Sequence, residues 1–163
     1  MTAVSQEQFA GEGWKVLRTL VVKDGVHLGG LTEVQRAWAL GVAACSLRLG
    51  EGVTEAQANA RLKACLGAEG AFLDTDHVEL RRWLVDTGWW MRDGYGHRYE
   101  RVPPQALPES LRPLAEALGS VELSAWVAAQ REAVQAERAR RRQAWAAKEA
   151  TGKAVPSTPD VST

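Results

Sequence analysis

At 163 residues the chain has room for one domain and an appendage, and is too short for two ordinary domains. A composition of 45% hydrophobic and 25% charged residues is that of a globular protein, large enough to bury a core without covalent staples. Twenty basic residues against twenty acidic ones exclude the overall basic excess that usually accompanies nucleic-acid binding.

Met1 to Glu12 lacks a basic stretch followed by an apolar run, so no secretory signal is expected. The longest apolar stretch, Ala37 to Leu47, is too short to span a bilayer, so no membrane association is expected and cytoplasm is the expected location. Residues 1–14 read as an N-terminal cap. Ser5-Gln-Glu-Gln8, Thr32-Glu-Val-Gln35 and Thr54-Glu-Ala-Gln57 each place a hydroxyl three residues before a glutamine, the capping-box pattern that opens a helix. Asp76 followed by Glu79 is a weaker form of the same signal. The spacing predicts helices over 5–22, 32–49, 54–66 and 76–87, with glycines 50, 52, 67 and 88 where helices should stop.

Beyond Gly88 the period changes. Trp89 to Arg92 and His97 to Val102 are strand-forming runs on either side of Asp93-Gly-Tyr-Gly96, a strong hairpin signal. Helices followed by a hairpin give a mainly α protein with a small β-hairpin, predicted as a winged helix-turn-helix domain over 15–102. The same order also suits an ordinary α+β domain. Pro103-Pro104 should end the second strand. Residues 103–120 read as a linker and short helix. Residues 121–149 read as a long basic C-terminal helix capped by Ser120, and 150–163 as a disordered tail.

Val53-Thr-Glu-Ala-Gln-Ala-Asn-Ala-Arg-Leu62, Asp76-His-Val-Glu-Leu-Arg-Arg-Trp-Leu-Val-Asp-Thr-Gly88, Arg92 and Tyr99 together carry a resemblance. From about Lys15 to Arg101 the chain resembles a small bacterial family catalogued as domain of unknown function twenty eighty-seven. The resemblance implies a winged-helix fold and no known reaction. Members are sometimes fused to helix-turn-helix regulators of the metal-responsive repressor type, which implies a link to transcription. This sequence departs from the pattern at Trp83, where a charged residue is usual, in its C-terminal extension, and in lacking the fused regulator.

On the 76–87 helix, at about 100° per residue, Arg81 falls within the apolar arc of Leu80, Leu84 and Val85. A buried arginine needs a partner, so Arg81 is expected to clamp Glu55 or Asp76, and its loss to cost about 3–5 kcal/mol. Arg82 and Trp83 are the expected outward pair, although Glu79 and Asp86 beside them would repel phosphates. Trp83, Trp89 and Trp90 form a cluster that could reach the surface. Arg92, His97 and Arg98 lie at the hairpin tip, where a wing meets backbone or minor groove.

The strongest electrostatic feature is 131–148, with six basic residues against two acidic, hence +4. There Arg138, Arg140, Arg141 and Arg142 could track a phosphate backbone while Trp145 stacks on a base. The three histidines and Cys45 with Cys65 have no metal-ligand spacing, and the cysteines read as small buried hydrophobes in a reducing compartment. No cofactor, metal or catalytic site is expected. The expected function is a nucleic-acid-binding winged-helix module, DNA being the first choice of partner, with a role in transcriptional regulation. The alternative is a protein-interaction or self-association module, a homodimer included, that uses Trp83 and the C-terminal helix.

Overall fold

The computed structural model describes the backbone of residues 3–152 and the side chains of 11–152. The first helix, α1 (Ala3–Val21), begins two residues before the expected Ser5, whose side chain lies outside those described. Asp24 and Gly25 then turn the chain, with Gly25 at a φ of +68° that suits glycine. Val26 pairs with the loop ahead of α4 (His77–Asp86): its N–H donates to the Phe72 carbonyl at 2.9 Å, and the Asp74 N–H donates to the Val26 carbonyl at 2.8 Å.

Two capping boxes open the next helices, α2 (Glu33–Ala44) and α3 (Glu55–Leu66), as the sequence predicts. In each, the glutamine N–H donates to the threonine hydroxyl at 3.2 Å and the threonine N–H to the glutamine amide oxygen at 3.0 Å. The second helix stops at Ala44, five residues short of the expected end at 49. The carbonyls at and just past its end find partners from elsewhere in the fold. The Trp90 indole N–H donates to Ala44 at 3.0 Å and an Arg61 N–H donates to Ser46 at 3.2 Å, while Leu47 is drawn fully into the core.

The strands β1 (Trp90–Arg92) and β2 (Tyr99–Arg101) form the expected antiparallel hairpin, in the register Trp90 to Arg101, Met91 to Glu100 and Arg92 to Tyr99. The other edge of β2 is also occupied. Val53, just ahead of α3, exchanges two hydrogen bonds with Tyr99, at 3.0 and 2.8 Å.

The stretch 103–120 is more than a linker. Leu107, Leu114, Ala115 and Leu118 are buried in the same core as the preceding helices, the last three on α5 (Arg112–Gly119). Nor does Ser120 open the final helix. It ends α5, its hydroxyl donating to the Ala117 carbonyl at 2.6 Å, and α6 (Leu123–Gly152) starts three residues later. Buried Leu123 and Val127 dock the start of α6, and Trp126 meets Trp14 of α1 with ring centroids 4.8 Å apart. The expected disordered tail lies outside the described residues from 153 onward. Among the described residues no helix is long and apolar enough to cross a membrane.

Arg131 fastens α6 to the end of α1, donating to the carbonyls of Val21 (2.8 Å) and Lys23 (3.0 Å) and to the Asp24 carboxylate (2.6 Å). Hydrogen bonds from a charged donor contribute about 1.5–3 kcal/mol. Arg131→Met should therefore lower stability in a urea melt by about that amount. Amide exchange should accelerate at the end of α1 and the start of α6 before it does in α2.

Candidate nucleic-acid interface

The residues proposed for recognition lie on three elements: α4, the hairpin and α6. On α4, Asp76 is the N-cap, its carboxylate accepting the Glu79 N–H at 2.8 Å. Capping occupies Asp76, so the clamp on Arg81 is made by α3 instead. Arg81 donates to the Asn59 side-chain oxygen, pairs with Glu55 at 3.1 Å and lies over the Tyr99 ring, 5.5 Å from its centroid. One guanidinium thus joins α3, α4 and β2.

Arg82 is exposed between exposed Glu79 and Asp86, so the outer row of α4 is net acidic. Trp83 does not stand outward beside it. It is half-buried against the core, with the Arg36 guanidinium 5.0 Å from its ring centroid. Trp89 and Trp90 are 1% exposed, so the expected surface tryptophan cluster does not form.

At the hairpin tip the Asp93 carboxylate accepts the His97 N–H at 2.8 Å, and Gly96, at a φ of +69°, donates its N–H to the Asp93 carbonyl at 3.1 Å. The His97 amide holds the Asp93 carboxyl below its ordinary range. Arg92, His97 and Arg98 are all exposed. Arg98 is already engaged, pairing with Glu100 at 3.1 Å and lying across Gly52, where a Cβ would overlap its guanidinium. Tyr95 is 85% exposed and stacks on His97 at 6.3 Å. Sequence reasoning passed over Tyr95, although a lone aromatic between Gly94 and Gly96 at a hairpin tip was the available signal.

On α6 every residue from Arg140 to Gly152 is exposed, Trp145 by 67%. Glu137 pairs with both Arg140 (2.6 Å) and Arg141 (3.3 Å), which holds its carboxyl below the usual range. Arg138 and Arg142 have no ion pair among the described residues. By helical geometry Arg138, Arg141 and Arg142 share one side with Trp145, and Arg140 points to the other. That side continues the line of Leu123 and Val127, which docks on the domain at the start of the helix.

Neither cysteine is poised for chemistry. Burial pushes the Cys45 thiol up, and pushes Cys65 up to about 12, with Glu69 adding to both. Among the described residues no three His, Cys, Asp or Glu side chains converge as metal ligands.

Fold and site together define a helical domain closed by a β-hairpin, with exposed cations at the hairpin tip and a run of them on the free end of a long helix. Residues 32–101, from the cap of α2 to the end of β2, match the model of the family described as an uncharacterized protein conserved in bacteria (DUF2087). The match begins later than the resemblance read from the sequence, leaving the Asp24-Gly25 turn outside it together with α1, α5 and α6. Comparison with curated proteins and with solved structures found no match.

The Arg81 clamp is less costly to break than a fully buried pair, because Glu55 is 53% exposed and water can rehydrate it. Arg81→Ala should cost about 1.5–3 kcal/mol in a denaturant melt, below the 3–5 expected from sequence. Glu55→Gln should cost well under half of that. The raised pKa of Cys65 stabilises the fold fully below its ordinary value of 9.0, and that contribution falls as pH rises toward 12. At pH 8, therefore, Cys65 should react with a disulfide reagent only as fast as the chain opens. Addition of urea should accelerate the reaction in step with unfolding.

Proposed function

We propose that this protein is a winged-helix nucleic-acid-binding module whose electrostatic anchor is the free end of α6. The element order supports the winged-helix part. A helix (α2), an extended residue pairing back to the hairpin (Val53), two helices (α3, α4) and the hairpin follow one another, with Val53 adding a third strand position beside β2. One observation carries the binding part. Arg138, Arg141, Arg142 and Trp145 occupy one side of α6 where it is exposed, so like charges stand together, with Glu137 and, two turns further on, Glu149 as the carboxylates beside them among the described residues. A phosphate backbone relieves that repulsion and an indole stacks on bases. Arg92, His97 and Tyr95 at the hairpin tip would provide a second contact. The acidic row of α4 argues against a conventional recognition helix, so recognition here is of backbone more than of base edges. DNA bound by a regulator of transcription is the form we favour. A cytoplasmic location fits two unpaired thiols.

A protein-interaction or self-association reading is favoured by the neutral overall charge and by exposed Trp145. Salt-titrated binding to random duplex and single-stranded oligonucleotides separates the two. Truncation after Ser120 would strip buried Leu123 and Val127 from the core, so charge variants of the full chain are the better test. Replacing Arg138, Arg141 and Arg142 by glutamine should lower the salt slope for duplex by about two to three, and Arg140→Gln should change it least. If the unaltered chain binds neither oligonucleotide at low salt, the nucleic-acid reading falls. Self-association by sedimentation is then the measurement to make.

A further inference from the structure

A cleft of about 290 Å³ lies between α2, the end of α4 and the turn at Glu109–Leu111 that leads into α5. Ala37, Pro108 and Leu111 give it accessible apolar walls over a floor of buried Leu40 and Trp89, and Glu33, Arg36 and Ser110 lie among its polar lining. Arg36 is held rigidly. Its Nε donates to the Leu28 carbonyl at 3.0 Å, one Nη2 hydrogen goes to the Leu31 carbonyl at 2.9 Å, and its face rests on Trp83. The two Nη1 hydrogens and the second Nη2 hydrogen have no protein acceptor among the described residues. A guanidinium already immobilised loses little further freedom when it binds an anion.

Glu33 lies one helical turn away, exposed, and makes no ion pair among the described residues. A plain anion bound at Arg36 would be repelled by Glu33, and a plain cation at Glu33 by Arg36. A ligand carrying both charges satisfies both. The volume is at the low end for small-molecule sites, too small for a nucleotide. The geometry points to a site for a small zwitterion with an apolar body, that is, an apolar amino acid. Its carboxylate meets Arg36, its ammonium meets Glu33, and its side chain lies against Ala37, Pro108 and Leu111.

Titration calorimetry on the full chain with L-leucine and L-phenylalanine tests this directly. N-acetyl-L-phenylalanine, which lacks the ammonium, and L-phenylalaninamide, which lacks the carboxylate, are the matched controls. One free amino acid should bind saturably, and the derivatives lacking one charge should bind about tenfold more weakly or worse. Ser110→Trp, at an exposed rim position, should block binding while leaving the melting temperature near that of the unaltered chain. Glu33→Gln should weaken the amino acid and bring it level with the N-acetyl derivative. Absence of saturable binding by both amino acids overturns the assignment. So does equal binding of phenylalanine and either derivative, or unchanged binding in the folded Ser110→Trp variant.

Discussion

Seven consecutive residues of α2, Trp38 to Ala44, have no exposed face. A helix apolar all round must be covered all round, and this requirement arranges the rest of the molecule. The first helix covers one side, α4 and the hairpin a second, and α5 a third. At Gly41 the cover is so close that a Cβ would overlap Leu118 and crowd the Trp89 ring. The segment after the hairpin therefore belongs to the fold, because without Leu114 and Leu118 a flank of α2 would face water.

What was legible in the sequence was local. Thr32 with Gln35, Thr54 with Gln57, and Asp93 with Gly96 each specify their structure through groups three residues apart, so pattern alone finds them. Arg81 was legible for a related reason: helical periodicity placed a charge on an apolar face, and a partner had to exist. The misses share a different cause. The second helix ends early, at a point where the Ala44 carbonyl accepts from Trp90 and the Ser46 carbonyl just beyond it accepts from Arg61, both far along the chain. Trp83 looked outward because its cover, Arg36, comes from another helix. Two prolines at 103–104 signalled the end of a strand correctly but could not say that Leu107 would return to the core.

Arginine has two occupations in this chain. Arg36, Arg61, Arg112 and Arg131 each donate to backbone carbonyls at loops or helix ends, acting as fasteners where regular structure leaves acceptors unfilled. Counting basic residues overstates the charge available to a partner. Arg131 belongs by sequence to the basic stretch of α6 and by contact to the α1–α2 loop. The densest run of the remaining cations is Arg138 to Arg142 on the distal half of α6, so a neutral chain still carries a local positive field there.

The Arg131 fastening has a mechanical consequence. From Arg131 to Gly152 the helix runs about 30 Å at 1.5 Å per residue, anchored at one end and unsupported at the other. It is a lever, and its fulcrum is a guanidinium held by two carbonyls and a carboxylate. A tilt of about 5° at that fulcrum would displace the far end by about 3 Å.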